Sequence, residues 1–386
     1  MSKNIIYEYE DIPDELVEYI QTNKSLHNYF RQDWKKVKAT QYCGILNFNN
    51  IDYYILPKIA NHDNEKNLNI FMYMLRYSYN IQFYNEQIAN SKNEESDNIL
   101  EIFIQLFSKN LFQQFQKGNK EYITEQDNLR VLRGKYLINE NLKYNFTNDK
   151  IYCEYDEFSM NNELNQFFLY AIKTLIRFSK NKKLLKQCEL VLDEVDAKVF
   201  DIEKINIHFN RLNNRYKDSF EFAILLLNKF IPIFENGKNS FAFLFDMNIL
   251  FEKFIGKIYK EIDDTTELQN ERTFGSLKLR PDIIIKSKNL IIDCKYKVIE
   301  NDKIASREDR YQMYVYANNF ENENKDTKYR TMLLYPKHFN HNKELKRKLI
   351  LGKNDKKVEL LMRSIDLESN GSFKEFIKEI KNMMEI

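Results

Sequence analysis

The first part of the chain changes from a strand-like to a helical spacing of apolar residues. Residues 40–57 form two apolar runs around an Asn-Asn pair, which predicts two strands joined by a turn. The apolar and aromatic residues at 68–82 and 99–116 predict two helices. The polar stretch 85–98 predicts a loop, and the segment that begins at Asn128 leads into β structure. This part is therefore expected to combine a β-hairpin with helices.

The second part of the chain begins near residue 155, where the composition shifts. An amphipathic helix is predicted at 162–180, and a second, apolar helix is predicted at 218–231. A third helix is predicted to start at Asp246, a residue type that caps helix N-termini well. Two later elements follow: a helix at 308–318 and a strand at 330–336. With the hairpin described below, this order is typical of a mixed sheet flanked by helices.

The pattern as a whole predicts an α+β or mixed α/β chain of two domains. The chain has 386 residues, which is long enough for more than one core. We assign residues 1–155 to an N-terminal domain of mixed β-hairpin and helices. Residues 156–386 then form the domain with the mixed sheet.

The segment 280–295 is the most informative part of the sequence. It contains two apolar runs, 283–285 and 290–292, which are separated by the turn-forming residues 286–289. The segment therefore predicts an antiparallel hairpin whose strands are buried.

The register of this hairpin brings charged residues together. Pairing the strands about the turn places Ile285 opposite Leu290 and Asp282 opposite Asp293. Directly opposed residues have Cβ atoms roughly 5 Å apart. Because side chains alternate along a strand, Lys295 lies on the same face as Asp293. Two carboxylates and one ammonium are therefore expected at one end of a small sheet.

This combination of residue types suits metal-assisted hydrolysis of a phosphodiester. Carboxylates such as Asp282 and Asp293 hold Mg²⁺ through oxygen, and Lys295 can orient a water and neutralise charge on a phosphate. The alternative is an exposed hairpin with a surface ion pair. The apolar runs beside both carboxylates favour the first interpretation, because they place the carboxylates at the ends of buried strands.

Two predicted helices add polar groups to the candidate site. Glu252 lies at the edge of the apolar stripe of the helix that starts at Asp246, where it could supply a third acidic ligand. A solvated flanking glutamate is the alternative. Asp309, Gln312 and Tyr316 share one face of the helix at 308–318.

Charge is balanced over the chain and clustered locally. The net charge is +2, so the chain lacks the overall basic field of many stand-alone DNA-binding proteins. One group of cations crowds the hairpin: Lys278, Arg280, Lys286, Lys288, Lys295 and Lys297. A second group follows later: Lys337, Lys343, Lys346, Arg347, Lys348 and Lys353. A phosphate backbone could lie along such a strip, but a solvated charged face explains the second group at least as well.

Several common kinds of site have no signature in the sequence. None of the eight glycines belongs to a GxxxxGK or GxGxxG loop, so any NTP-driven work is expected from a partner. The four cysteines form no CxxC pair, which favours reduced thiols in a cytoplasmic protein over a zinc site. No apolar run approaches the ~20 residues that span a bilayer, and the first residues lack the apolar core of a signal peptide.

The ordered set of motifs resembles a known family. A helix with Glu252, then Pro281-Asp282, then Asp293-Cys294-Lys295 and a helix with Gln312 resemble the PD-(D/E)XK nuclease superfamily, which tolerates Asp at the second acidic position. More narrowly, the chain resembles McrC, the nuclease subunit of McrBC-type modification-dependent restriction systems. The segments that carry this resemblance are Gly44-Ile-Leu, Ile55-Leu-Pro-Lys-Ile59, Met74-Leu-Arg-Tyr-Ser-Tyr79, Asp127-Asn-Leu-Arg-Val-Leu-Arg-Gly-Lys135, Cys153-Glu-Tyr-Asp-Glu-Phe158, Leu244-Phe-Asp-Met-Asn248 and Asp309-Arg-Tyr-Gln-Met-Tyr-Val-Tyr-Ala317.

The resemblance implies a division of labour between two subunits. In such systems a hexameric AAA+ GTPase of the McrB type recognises modified DNA and translocates. The McrC-type subunit binds that ring, stimulates its GTPase and cuts the DNA. The implied partners are thus a McrB-like hexamer and double-stranded DNA that carries methylcytosine, with no membrane involved. Residues 1–155 would engage the ring and residues 156–386 would form the endonuclease domain. The modification recognised, the cleavage position and the stoichiometry stay open.

The resemblance also implies roles for individual residues. Asp282, Asp293 and Glu252 would hold Mg²⁺, Lys295 would orient the attacking water, and Gln312 would position backbone or water. The residues expected to contact DNA are Lys278, Arg280, Lys286, Lys288 and Lys297. Arg130 and Arg133 are candidates for GTPase stimulation on basic character alone, with a structural role as the alternative. Two other functions remain open: a GTPase-activating subunit that does not cleave, and a stand-alone nuclease.

Overall fold

The fold is taken from a computed structural model that covers most of the chain. It describes residues 4–33, 36–60, 63–81, 99–147, 149–235, 238–297, 305–320, 329–338, 345–352 and 357–385, without the side chains of 234–239 and Leu277. The loop predicted at 85–98 and the cations Lys343 and Lys353 lie outside these ranges.

Ten α-helices lie within the described ranges. They are α1 (Asp14–Thr22), α2 (Asn64–Ser78), α3 (Ile99–Phe115), α4 (Ile138–Tyr144), α5 (Glu163–Leu175), α6 (Lys183–Val191), α7 (Lys217–Lys229), α8 (Met247–Ile262), α9 (Arg307–Asn319) and α10 (Phe373–Met384). In the part of the chain that the structure describes, none of them has the length and apolar character needed to cross a bilayer.

Eighteen strands lie in the same ranges. They are β1 (Asn4–Tyr7), β2 (Phe30–Asp33), β3 (Lys36–Ala39), β4 (Tyr42–Phe48), β5 (Ile51–Leu56), β6 (Glu121–Leu129), β7 (Lys135–Tyr136), β8 (Ile151–Ser159), β9 (Phe230–Glu235), β10 (Lys238–Asp246), β11 (Thr266–Leu268), β12 (Arg272–Phe274), β13 (Leu277–Leu279), β14 (Ile283–Ile285), β15 (Leu290–Cys294), β16 (Arg330–Pro336), β17 (Lys346–Leu351) and β18 (Val358–Ile365). The predicted mixture of helices and sheets is therefore confirmed.

The chain forms two compact units. Unit 1 combines residues 1–93 with residues 244–386, and unit 2 consists of residues 94–243. The predicted domain boundary at residue 155 falls inside β8, which pairs with β6 along its whole length. A cut at residue 155 would separate residues that pair with the same strand, so the two compact units do not divide there. The functional roles assigned to the two sequence regions stay predictions.

Unit 1 contains the mixed sheet expected from the second part of the sequence. The order of its six described strands is β11-β14-β15-β16-β18-β17. The central strands β15, β16 and β18 are parallel, whereas the flanking strands pair antiparallel. Helix α8 packs on β11 and β15, and helix α9 packs on β15, β16 and β18. The predicted hairpin thus lies within a helix-flanked sheet.

Alternation along β15 separates the two faces of this sheet. Ile291 belongs to an apolar cluster with Met313 and Phe320, which come from α9 and its C-cap. Successive strand residues point to opposite faces, so Asp293 shares the α9 face with Ile291. Leu290 and Ile292 point to the other face, and both are fully buried.

Unit 1 also contains the hairpin predicted at residues 40–57. Strands β4 and β5 pair antiparallel around Asn49 and Asn50, and both asparagines have positive φ, as a tight hairpin turn requires. Strand β1 adds to β5 in parallel, and β2 pairs with β3. The predicted turn is therefore confirmed.

Unit 2 combines a group of helices with a small sheet. Helices α3, α5, α6 and α7 pack on one another. Strands β6, β8 and β7 form a separate three-stranded sheet in the described ranges, and β9 pairs with β10. Gly134 precedes β7 with φ +69°, and a Cβ there would lie 2.3 Å from the Glu154 carbonyl oxygen. Only glycine fits this close approach of β7 to β8.

The helix predictions differ from the structure mainly at their ends. The helix predicted at 68–82 begins at Asn64, because the Asp63 side chain caps it by accepting from the Lys66 N–H. The helix predicted at 162–180 ends at Leu175. Beyond it, the Glu101 carboxylate accepts from the N–H groups of residues 180 and 181 and holds the chain away from helical geometry. The N-cap predicted at Asp246 is confirmed.

Candidate active site

The hairpin of β14 and β15 forms the foundation of the site. Its register pairs Ile285 with Leu290 and Ile283 with Ile292, which confirms the predicted pairing. The turn closes with the Asn289 N–H donating to the Lys286 carbonyl oxygen at 3.2 Å. Buried isoleucine and leucine side chains fill β14 and the first three positions of β15. The charged residues at the end of the hairpin away from this turn are therefore held by a rigid, buried element.

Two carboxylates meet at that end of the hairpin. Asp293 is 2% exposed, and Asp282 is partly buried. The Cys294 N–H donates to Asp282 Oδ2 at 2.7 Å, which ties the carboxylate before β14 to the end of β15. Lys295 Nζ lies 2.5 Å from Asp293 Oδ2. This short contact is an ion pair between the Lys295 ammonium and the buried Asp293 carboxylate.

The protonation of the two carboxylates reflects their burial and their proximity. Burial raises the pKa of Asp282 to about 8, and the charges of Asp293 and Glu252 contribute to the increase. Burial also raises the pKa of Asp293, although Lys295 opposes the increase. Burial by itself would lower the pKa of Lys295, but the adjacent Asp293 raises it above the usual value. The site therefore keeps its ammonium charged, and Asp282 holds a proton near neutral pH unless a cation offsets its charge.

A chain of hydrogen bonds links Lys295 to helix α9. Lys295 Nζ donates to Gln312 Oε1 at 3.2 Å, and Gln312 Nε2 donates to the Tyr316 hydroxyl at 2.9 Å. The Tyr316 hydroxyl donates to the Arg280 carbonyl oxygen at 3.1 Å, two residues before Asp282. Because the Tyr316 proton is used there, its oxygen accepts from Gln312 and fixes the orientation of that amide. The sequence pattern predicts that Tyr316 shares this face of α9 but assigns it no role in the site, and its i, i+4 spacing from Gln312 is the available signal.

A second ion pair lies beside the first. Lys297 Nζ is 2.5 Å from Asp309 Oδ2, and Asp309 is buried. The Asp309 carboxylate also acts electrostatically on Asp293 and Lys295. Lys297, predicted as a DNA contact, is thus engaged with an acidic group of helix α9.

Glu252 lies close enough to influence the pair but has a different partner. Its carboxylate contributes to the raised pKa of Asp282 and of Asp293. Its Oε1 accepts from Gln269 Nε2 at 2.5 Å, and the Gln269 Oε1 accepts from Arg280. No three His, Cys, Asp or Glu side chains of the described ranges converge closely enough to hold a metal ion. The role of Glu252 as a third ligand stays a prediction.

The remaining donor set suits magnesium. Mg²⁺ keeps several waters and commonly binds through one or two carboxylates, which matches Asp282 and Asp293. The pKa of Asp282, raised to about 8 by burial and by the neighbouring carboxylates, shows that a second negative charge is unfavourable here without a further cation. Cys294 points to the other face of the sheet, and burial raises the pKa of its thiol well above the usual value, so it remains a neutral thiol.

Comparison with known proteins places the chain in a family. A family model described as McrBC 5-methylcytosine restriction system component matches residues 37–336, well over half of the chain. The chain belongs to the McrBC family. The resemblance to McrC inferred from the sequence is therefore confirmed. The search of curated proteins found no significant match.

A solved structure from an McrBC system shares the fold. One chain from Thermococcus gammatolerans, described as a refined half-complex from the tetradecameric assembly of McrB AAA+ hexamers with bound McrC, is 21% identical with a TM-score of 0.63. The match covers 99% of this chain and 100% of that one. A chain of the cryo-EM structure of the Thermococcus gammatolerans McrBC complex is 23% identical with a TM-score of 0.49, over 67% of this chain and 87% of that one.

In this McrBC family member, the cations predicted to bind DNA are divided between the two ends of the hairpin. Arg280 lies two residues before Asp282. Lys278, in the adjacent ribbon formed by β12 and β13, pairs with Glu271 at 2.9 Å. Lys286 and Lys288 belong to the turn at the opposite end, where Lys286 pairs with Glu267. The predicted basic strip is therefore not continuous around the carboxylates.

The two arginines considered for GTPase stimulation belong to unit 2. Both lie in the exposed loop between β6 and β7. The Arg133 guanidinium is 3.3 Å from Glu157 and 4.0 Å above the Tyr155 ring. A structural role therefore accounts for Arg133, whereas Arg130 is exposed at the start of the loop. Their role toward a partner stays a prediction.

Proposed function

We propose that this protein is the DNA-cleaving subunit of a GTP-dependent restriction complex that acts on methylcytosine-containing DNA. The observation that carries the proposal is the convergence of Asp282, Asp293, Lys295 and Gln312 at one end of a mixed sheet. This convergence supports a nuclease core of the PD-(D/E)XK type. Membership of a family of 5-methylcytosine restriction components supports the substrate class.

The metal in this proposal is Mg²⁺ held by Asp282 and Asp293. When bound, Mg²⁺ would polarise the scissile phosphate and neutralise charge that develops on it. Lys295 keeps its proton on Nζ, because the carboxylate of Asp293 raises its pKa. That ammonium can orient a water for attack and donate to a phosphate oxygen. Gln312, oriented by Tyr316, holds the ammonium in place through its Oε1.

The partner in this proposal is an AAA+ GTPase ring of the McrB type. The solved chain from Thermococcus gammatolerans with this fold is described in an assembly of McrB AAA+ hexamers with bound McrC. Unit 2 offers apolar side chains that its own core does not cover. We call them the exposed apolar set: Tyr122, Val131, Leu132, Tyr136, Ile138, Leu142, Tyr144, Phe146 and Phe158. They lie on one small sheet, its loops and helix α4, and apolar side chains exposed together in this way are typical of surfaces that bind another protein.

The exposed apolar set suggests where the ring would be engaged. All nine residues lie in the range 121–159 of unit 2, largely within the predicted N-terminal region of 1–155. Arg130 lies in the same loop as Val131 and Leu132, so a ring bound there would also meet this cation. Stimulation of GTP hydrolysis by Arg130 is part of the proposal.

Cleavage of methylated plasmid tests the proposed function. The purified protein is incubated with the plasmid and Mg²⁺, first without a partner and then with GTP and the GTPase that a neighbouring gene encodes. We expect cleavage only in the complete mixture, and its loss in the Asp293→Ala variant. Cleavage by the protein alone would favour a stand-alone nuclease. Raised GTP turnover without any cleavage would favour a GTPase-activating subunit.

A further inference from the structure

A short β-ribbon next to the candidate active site has no role in the mechanism above. Strands β12 and β13 pair with each other through Arg272 to Leu279 and join no other described strand. Every described side chain of the ribbon except Leu279 is exposed. An isolated two-stranded ribbon is marginally stable in water, so this one depends on contacts beyond its own two strands.

The base of the ribbon is fixed to helix α9. Leu279 is buried in the apolar cluster that includes Met313 and Phe320. The Arg272 guanidinium, in the strand opposite Leu279, lies 4.6 Å above the Phe320 ring. Arg280 follows Leu279, and its carbonyl oxygen accepts a hydrogen bond from the Tyr316 hydroxyl. The ribbon is therefore anchored to the helix that carries Gln312.

The tip of the ribbon projects beyond this anchor. Gly275 begins the two-residue turn with φ +60°, as a tight hairpin turn requires, and a Cβ there would meet no atom within 4 Å. Phe274 precedes the turn and is 53% exposed. It shares a face with Arg272, because side chains two residues apart in a strand point the same way. The anchored face thus ends in an aromatic ring that the described protein leaves half uncovered.

The position and charge of the ribbon match a nucleic-acid duplex at the site. Leu277, the cross-strand partner of Phe274, lies five positions before Asp282, which corresponds to a reach of at most about 16 Å along an extended chain. That is about five base-pair steps of a duplex. Residues 270–280 carry three cations, Arg272, Lys278 and Arg280, against one carboxylate, Glu271. The excess positive charge suits a polyanion rather than an acidic protein surface.

We propose that the β12–β13 ribbon is a DNA-contacting finger in which Phe274 stacks on or wedges between bases a few steps from the scissile phosphate. This inference rests on the proposed function, because it takes DNA to lie at Asp282 and Asp293. Apolar side chains that enter a groove can unstack a base step and bend the duplex. A single aromatic side chain that stacks on a base contributes measurably without reading sequence. The finger would therefore help to set where the duplex lies relative to the carboxylates.

The experiment measures DNA binding and base unstacking by the full-length protein. The probe is a short duplex with 2-aminopurine at one position, in EDTA and at low ionic strength, so that no cleavage occurs. For Phe274→Ala we expect about tenfold weaker binding and loss of the fluorescence increase that unstacking produces. Phe274→Tyr keeps the aromatic ring and is expected to retain both signals. Ile350→Ala is the matched control, because Ile350 is 56% exposed on a different strand of the same unit.

The outcomes separate this inference from the proposed function. Phe274→Ala with wild-type affinity and fluorescence would overturn the finger, even if the protein cleaves DNA with Mg²⁺ and its partner. A wild-type protein that binds no duplex at low salt would overturn it as well. Binding that depends on Phe274, in a protein that never cleaves, would support the finger and contradict the nuclease. A Phe274→Ala variant that loses only its affinity for the GTPase would make the ribbon a protein contact and overturn the proposal.

Discussion

The carboxylate cluster of unit 1 and the exposed apolar set of unit 2 depart from ordinary packing in opposite ways. In unit 1, Asp293 is buried at 2% exposure beside a second carboxylate, Asp282. In unit 2, Phe146 and Leu142 are 89% and 71% exposed. Buried charge and exposed apolar surface both cost free energy in the isolated chain. Each region therefore points to something that the chain binds.

The comparison also separates two kinds of ligand. The free-energy cost of a buried pair of carboxylates is lowered by a small cation, because a divalent charge offsets their repulsion at short range. The free-energy cost of exposed aromatic and aliphatic side chains is removed when a large apolar surface, such as that of another protein, covers them. Under the proposed function, chemistry and partner binding are therefore expected in different units.

The largest effect is expected from removing a carboxylate of unit 1. Asp293→Ala should lower DNA cleavage by on the order of 10³-fold, since it removes one of two metal ligands and the partner of Lys295. Asp293→Asn, which keeps the shape, should be as inactive. Cleavage of methylated plasmid in the complete mixture measures both. GTPase stimulation should be unchanged, because the change lies in the other unit.

A matched carboxylate outside the cluster serves as the control for this test. Asp193 is exposed in unit 2, and Asp193→Asn should cleave like the wild type. If Asp293→Asn still cuts, the metal site has been assigned to the wrong residues. Catalysis could then no longer be attributed to the carboxylates of unit 1.

A second buried acid of unit 1 should give the chain a stability that depends on pH. Glu8 is buried and accepts at Oε1 from the Lys58 N–H and from the Tyr296 hydroxyl, both at 2.7 Å. Burial raises the pKa of Glu8 from 4.5 to about 7. Between these values the folded state binds more protons than the unfolded state, so stability falls as pH rises from about 4.5 to about 7. The loss is about 3 kcal/mol in total.

The Glu8→Gln variant isolates this contribution. The amide oxygen can still accept from Lys58 and Tyr296, but the side chain no longer titrates. The free energy of unfolding of the variant minus that of the wild type should therefore rise by about 3 kcal/mol from pH 4.5 to pH 8. Urea denaturation across that range measures it, and any constant cost of the amide cancels. A difference that stays flat with pH would mean that Glu8 is ionised throughout.

The sequence was sufficient where structure depends on near neighbours. The register of Ile285 with Leu290 follows from the turn between them, and Asp246 caps its own helix. Both features need only residues a few positions apart. The McrC resemblance added Gln312 to the site, although no local pattern places Gln312 beside Lys295.

Contacts between distant residues explain what the sequence did not predict. The helix at 162–180 was extended too far because Glu101, about 80 residues earlier, binds the amides that follow it. Tyr316 reaches a carbonyl oxygen 36 residues away, and Glu8 reaches a hydroxyl 288 residues away. The compact units also join residues 1–93 to residues 244–386, which no single cut in the sequence can reproduce.

A smaller effect is expected from the exposed apolar set. Phe146→Ser should weaken binding to the AAA+ GTPase about tenfold, because a side chain that becomes buried in an interface contributes about 1–2 kcal/mol. Leu190→Ser is the control, since Leu190 is 72% exposed in unit 2 but lies outside the set. Binding measured by fluorescence anisotropy should separate the two variants. Equal losses would mean that the set is not the contact surface.

The smallest effect, and the finest test of the unit 1 cluster, concerns Tyr316. Tyr316→Phe removes the hydroxyl that accepts from Gln312 Nε2 and donates to the Arg280 carbonyl oxygen. The Gln312 amide can then rotate, and its oxygen is no longer fixed toward Lys295. We expect the cleavage rate at saturating DNA to fall about fivefold, which corresponds to about 1 kcal/mol for one hydrogen bond, with KM unchanged.

Helix α9 itself supplies a control for Tyr316. Tyr311 is 57% exposed, and its hydroxyl accepts from Arg307 on the surface, so Tyr311→Phe should cleave like the wild type. Gln312→Glu sharpens the test, because both of its oxygens can accept from Lys295 whatever the orientation of the side chain. In that background Tyr316→Phe should cost less than in the wild type. An equal cost in both backgrounds would mean that Tyr316 acts through Arg280 and the approach to Asp282, and not through the amide of Gln312.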